Sequence, residues 1–162
     1  MDFWLWKTAH VISAAILFGT GIGIAFFCWL GYRLAMQRND IGALRAVLRL
    51  TVRADACFTA PAAAFQLISG LIMMHLLGWS YSGPWFMASL LLYLFVGACW
   101  LPVVWMQWWL ARTAGEVADI AALPARFHRI FRYWFALGVP AFCAMLLLFY
   151  LMVAKPLAVA AG

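Results

Sequence analysis

The sequence predicts an all-α membrane protein, a four-transmembrane-helix bundle with both termini on the outer, periplasmic side. Three observations predict it. Apolar residues make up 69% of the chain and charged residues 10%, where soluble domains hold roughly half and a quarter. Four apolar segments are long enough to cross a bilayer, which takes roughly 20 residues of helix. The charges fall between those segments, and most are arginines. The length suits one transmembrane domain over residues 1–162.

The spans run Thr8–Leu30, Ala56–Gly78, Trp85–Leu110 and Tyr133–Ala154, and none contains Asp, Glu, Lys or Arg. Backbone groups in lipid must bond internally, so each is expected as a helix. Lys7 alone precedes the first apolar run, so no cleavable signal peptide is expected. Gly19, Gly21 and Gly23 crowd the middle of span one. Small residues there let helix backbones approach closely, or they leave room for a flat ligand.

The connection to span two carries Arg33, Arg38, Arg45, Arg49 and Arg53 against Asp40 and Asp55. Arg45, Arg49 and Arg53 recur beside Ile41, Leu44, Leu48 and Val52, which predicts an interfacial helix or an inner extension of span two. Spans two and three form a tight hairpin through the uncharged stretch Trp79–Pro84, punctuated by Gly83 and Pro84. Arg112, Arg126, Arg129 and Arg132, against Glu116 and Asp119, separate spans three and four. The positive-inside rule places both charged connections in the cytoplasm, so the bacterial inner membrane is the expected location. Tryptophans frame the same arrangement. Trp4, Trp6, Trp79 and Trp85 form an outer belt, Trp29, Trp105, Trp108, Trp109 and Trp134 an inner one, and Trp100 packs between helices. Pro61, Pro102 and Pro140 each interrupt a span, where they kink it or open a pocket.

Several function classes are excluded. The net charge of +6 comes from two loop clusters, as in a membrane protein, and no nucleic-acid partner is expected. No buried Asp or Glu is expected for acid–base work. The Gly19–Gly23 run lies mid-membrane with no following charge, so it is no phosphate loop. Cys28, Cys57, Cys99 and Cys143 lack metal or disulfide spacing and are expected to pack as small apolar residues.

His10 and His75 are the ionisable groups set well inside the apolar segments. An imidazole in hydrocarbon needs a partner, so each is a candidate ligand or proton site. The topology puts both near the outer ends of their helices, with Lys155 at the same side. Two imidazoles can ligate haem iron, and b-type haem is the first cofactor reading. Met73, Met74, Met87 and Met152 share this outer half, so Met74 is an alternative ligand and copper the alternative metal. Gln66 and Gly70 share one face of span two, while His75 lies about half a turn from Gln66. Gln66 and Gln107 are expected to hydrogen-bond between helices, and His128 to be a solvated loop residue. Lys155 is expected to anchor the end of span four.

The opening Trp6-Lys7-Thr8-Ala9-His10 resembles that of the HemJ-type protoporphyrinogen oxidases, four-helix membrane proteins that bind b-type haem. So do Arg126-Phe127-His128-Arg129, Val139-Pro140 and Val153-Ala154-Lys155-Pro156-Leu157. The resemblance implies His10 as a haem ligand. Met87-Ala88-Ser89 stands where those enzymes carry a lysine, and Gly138 near where they carry an acidic residue, so porphyrinogen oxidation is not implied. The topology also resembles copper-resistance membrane proteins. A fuller resemblance is to the bacterial integral membrane family known as domain of unknown function 2269. It rests on Phe18-Gly19-Thr20-Gly21, Pro61 with Gln66 and Gly70, Trp100-Leu101-Pro102-Val103-Val104-Trp105 and Trp134-Phe135-Ala136-Leu137-Gly138-Val139-Pro140. It implies a fold and a location. The readings left open are a haem-binding redox protein with a quinone or other redox partner, a copper-handling protein, and a non-catalytic assembly factor. All three have the lipid bilayer as partner, and each is compatible with a homo-oligomer.

Overall fold

The computed structural model describes residues 2–155, which form five α-helices and one π-turn. The order is α1 (Phe3–Arg38), α2 (Ile41–Ala54), the π-turn (Asp55–Thr59), α3 (Ala60–Leu76), α4 (Pro84–Glu116) and α5 (Ala125–Ala154). The stretch Ile41–Leu76 runs on as one helix, and with α1, α4 and α5 it makes four helices long and apolar enough to cross a membrane. No strand occurs among the described residues. The charged stretch before span two is therefore a helical extension of that span. One end of the bundle carries the 77–83 hairpin. The other, the arginine end, carries the 39–40 turn and the 117–124 loop.

The helices overrun the expected spans at the arginine end. α1 has 36 residues, about 54 Å at 1.5 Å per residue, against a hydrocarbon layer of about 30 Å. Two residues make the turn from α1 to α2. Asn39 takes the left-handed conformation (φ 53°, ψ 40°), and the Asp40 amide returns to the Ala35 carbonyl at 3.0 Å. The Asp40 carboxylate then accepts the Ala43 amide at 2.9 Å, capping α2. Gly31 lets the two helices close, since a Cβ there would lie 2.5 Å from Val47 Cγ2.

The buried core sits at the arginine end. It gathers Cys28 and Ala35 of α1, Leu44 and Leu48 of α2, Leu110 and Ala114 of α4, and Phe127, Phe131 and Trp134 of α5. Beyond the hydrocarbon layer water sorts side chains, and α2 shows it: Leu44 and Leu48 are buried while Arg49 and Arg53 are exposed. Arg45 turns inward and donates from Nε to the Ala114 carbonyl (2.9 Å) and from Nη2 to the Val117 carbonyl. It thus satisfies the C-terminal carbonyls of α4. Within the spans the order inverts. Phe27, Leu91 and Leu147 lie exposed, as side chains facing lipid do, and no hydrophobic force between helices sorts them.

Helix pairing follows from this clamp. α1 packs along α2 and α3, α4 packs along α2 and α5, and α1 meets α5 only slightly. Two helix pairs are thus held together chiefly at the arginine end. Within the spans they meet at fewer points: Tyr93 Oη of α4 donates to the Ala63 carbonyl of α3 at 2.7 Å, and Phe18 of α1 packs on Phe142 and Phe149 of α5. Pro61 explains the π-turn. It has no N–H for the preceding turn and its ring crowds the carbonyl four residues back. The chain relieves this by widening, so the Ala60 amide donates to the Asp55 carbonyl five residues earlier.

Candidate functional site

His10 is half-buried on α1 and faces α3. Its Nδ1 lies 2.7 Å from Ser69 Oγ. The Ser69 hydroxyl is fully buried and donates to the Phe65 carbonyl at 2.6 Å. Serine has one hydroxyl proton, and that bond uses it. The network therefore assigns the His10 proton to Nδ1, donating to Ser69, and leaves the lone pair on Nε2. Gln66 fixes the backbone alongside, its Nε2 donating to the His10 carbonyl at 2.7 Å. One turn further into the span, Ser13 donates to the Ala62 carbonyl at 3.1 Å. Gly70 passes close: a Cβ there would sit 3.7 Å from His10 Cε1. Trp6, one turn before His10, stacks on Phe65, and its Nε1 is buried with no hydrogen-bond partner among the described residues.

The other candidates lie elsewhere. His75 is exposed. It stands five residues beyond Gly70, about 7.5 Å along the axis and roughly 140° around the helix, so it does not share the face that meets His10. Met74 does share the Gly70 face, one turn on, and is buried. Lys155 ends α5 with φ 43° and holds its Nζ over the Trp79 ring (4.8 Å) and the Trp85 ring (5.9 Å). That aromatic seat anchors the helix end. Pro156 and Leu157 of the C-terminal motif lie outside the described residues. Among the described residues no group of three or more His, Cys, Asp or Glu side chains gathers for a metal.

A second polar centre lies deeper, and its key residue was expected in a charged loop. Asp55 is buried, 6% exposed, at the start of the π-turn. The expectation that no acidic group is buried is corrected here. Trp100 Nε1 donates to both carboxylate oxygens, at 3.3 Å to Oδ1 and 3.1 Å to Oδ2. The Gln107 amide is oriented by its neighbours: Nε2 donates to Asp55 Oδ2 at 3.1 Å, and Oε1 accepts Trp134 Nε1 at 3.2 Å. Thr59, one turn on, is buried beside Asp55, its hydroxyl 3.4 Å from Thr20 Oγ1 of α1. The bonds to Asp55 tie α2 to α4 and α5 at the foot of the two helix pairs.

Above it opens a lateral cleft of about 750 Å³, walled by all four spans and almost wholly apolar. Asp55, Thr59, Trp100 and Gln107 line its polar end, and Phe18, Tyr93 and Phe142 its apolar length. His10 is not among its walls. It stands about two turns, ~11 Å, toward the hairpin end from Leu17. The mid-span glycines do not serve close packing. A Cβ added at Gly19, Gly21 or Gly23 would meet nothing within 4 Å, and Gly21 faces the cleft. Pro102 and Pro140 interrupt α4 and α5 beside the cleft walls.

Asp55 was readable as more than a loop charge. Leu44, Leu48, Thr51 and Asp55 recur at helical spacing, and all four are buried. His128 also departs from expectation: its Nδ1 pairs with Tyr32 Oη at 2.6 Å rather than facing water alone. Of the cysteines, Cys28 and Cys99 are buried while Cys57 and Cys143 are exposed on the spans.

The four spans, the clamped arginine end and the apolar exterior define an integral membrane protein. The chain belongs to the family described as predicted integral membrane protein (DUF2269), whose model matches residues 4–156. No curated protein and no solved structure matches it.

Proposed function

We propose that this protein binds a b-type haem through His10 and takes part in electron transfer in the bacterial inner membrane. The observation that carries the reading is the Ser69–His10 pair. A metal-ligating histidine usually donates its other ring N–H to a fixed acceptor, which sets the tautomer and raises basicity. Ser69 is such an acceptor, anchored by its own bond to Phe65. Gln66 holds the backbone of the same residue. The buried Trp6 Nε1 one turn away, which has no partner among the described residues, adds a donor able to meet a polar group of the cofactor. The donor set thus fits one imidazole-ligated metal. The resemblance of the opening Trp6-Lys7-Thr8-Ala9-His10 to haem-binding membrane enzymes points the same way.

A bound haem would supply one-electron chemistry, tuned by its axial ligands and its burial. The chain's own residues orient and dry the site. Met74, buried on the Gly70 face, would serve as a second ligand better than the exposed His75. The same thioether gives the copper reading its footing, since soft sulfur with imidazole suits that metal.

The test is an absorption spectrum of protein purified in mild detergent from haem-supplied cells, oxidised and then dithionite-reduced. A Soret band with sharp reduced α and β bands, lost in His10→Ala, is expected. Full haem occupancy in His10→Ala would overturn the assignment of His10. A featureless parent spectrum with stoichiometric copper would replace haem with copper.

A further inference from the structure

We propose that the lateral cleft is a binding site for a hydrophobic organic cation drawn from the bilayer, with Asp55 as its counter-charge. The inference stands apart from the haem reading, because the cleft and the His10 site share no residue.

Charge complementarity carries it. Asp55 lies in the span-crossing helix Ile41–Leu76, buried and in the wall of the cleft. Its hydrogen-bond partners are neutral: the Trp100 indole and the Gln107 amide. Among the described residues no cation lies within salt-bridge reach of it, and the one ion pair is Arg112 with Glu116. Buried charges are ordinarily paired, and an ionisable group within a membrane span ordinarily serves a site. The nitrogen donors suit a carboxylate, yet the charge is left without compensation. A cation entering the cleft would supply it.

The walls fit the rest of such a ligand. A cleft of about 750 Å³ lies within the roughly 300–1,000 Å³ of small-molecule sites. Trp29, Tyr93, Trp100 and Trp134 line it, and aromatic rings attract desolvated cations. Gly21, Gly97 and Gly138 line it with open space where a side chain would be.

The probe is tetraphenylphosphonium, with tetraphenylsilane as its neutral isostere. Binding is read by equilibrium dialysis and calorimetry on the full chain in mild detergent. One saturable site is expected for the phosphonium, with no competition from an excess of the silane. Asp55→Asn keeps the shape and is expected to weaken binding at least tenfold. Gly97→Leu and Gly138→Leu fill the cleft where a Cβ meets nothing, so they keep the fold and are expected to weaken binding at least tenfold. Three results would overturn the proposal: no saturable binding to the parent, equal competition by the silane, or leucine variants that bind within twofold of the parent. The leucine variants decide the matter if Asp55→Asn does not fold.

Discussion

Replacing Asp55 with alanine removes the acceptor on which two buried nitrogen donors converge. Trp100 Nε1 and Gln107 Nε2 both reach the carboxylate within 3.1 Å at Oδ2. A buried donor left without a partner costs about 1–3 kcal/mol. Two such donors give about 2–6 kcal/mol of destabilisation for Asp55→Ala. Asparagine behaves differently. With its amide oxygen in place of Oδ2 it still accepts both Trp100 Nε1 and Gln107 Nε2, and only the longer 3.3 Å contact of Trp100 with Oδ1 is lost. Asp55→Asn is therefore expected to cost about 1 kcal/mol, the lower end of the range for a disturbed buried donor.

The buried cysteines provide the assay. Cys28 and Cys99 are 2% and 8% exposed, so in a Cys57→Ser, Cys143→Ser background a thiol-reactive fluorophore reports opening of the bundle. For soluble domains of this size 1 kcal/mol moves Tm by about 2–4 °C. Asp55→Ala should therefore melt at least ~4 °C below the parent, with Asp55→Asn between them. Pairing it with Gln107→Ala should give a coupling of about 0.5–3 kcal/mol, as for residues in one network. An Asp55→Ala protein that melts with the parent, or additive single and double variants, would refute the network.

The remaining predictions test the other contacts. Ser69→Ala removes the acceptor of the His10 Nδ1 proton and should lower haem affinity in titrations about 10–100-fold, as loss of a ligand's outer partner does. Gly31→Ala places a methyl 2.5 Å from Val47 Cγ2 and should cost about 1–3 kcal/mol in the melting assay, with recovery when Val47 is also made alanine. Arg45→Ala frees the Ala114 and Val117 carbonyls. It should increase proteolysis in the 117–124 loop, whereas exposed Arg49→Ala and Arg53→Ala should each stay within about 0.5 kcal/mol of the parent.

The spans were legible because hydropathy and length suffice to find them: three of the four apolar segments lie within the observed membrane-length helices, and the second, Ala56–Gly78, overruns its helix end at Leu76 by two residues. The α1–α2 turn was less so. Asn39 and Asp40 are a left-handed C-cap and an N-cap in succession, and reading them would have shown α2 as a separate helix returning on α1. His10 stood out because an imidazole in an apolar run is costly. Its partner Ser69 did not, since small hydroxyls are common in membrane helices and their bonds depend on which helix arrives opposite. His75 looked equivalent to His10 by depth, and only the rotation of α3 against α1 separates them.

Asp55 shows most clearly why a loop charge and a site charge are hard to tell apart in such a chain. It lies where the water-facing helix α2 becomes the membrane helix α3, so its sequence neighbours Arg53 and Cys57 give opposite signals about its surroundings. Pro61 resolves the ambiguity physically. By forcing the wide turn at Asp55–Thr59, it sets where the carboxylate falls relative to α4 and α5. The same widening lets α3 lean toward α1 rather than toward α4. The buried carboxylate and the cleft above it are thus two consequences of one proline. Replacing Pro61 with alanine should let the α-helical phase run on and rotate α3 against α2. Trp100 would then lose its partner, and the cleft would change shape even though no residue lining it had been altered. Loss of the Asp55–Gln107 coupling in a Pro61→Ala background, measured by the same thiol-reporter cycle, is the outcome expected. An unchanged coupling would show that the helices on either side, and not the proline, hold Asp55 in place.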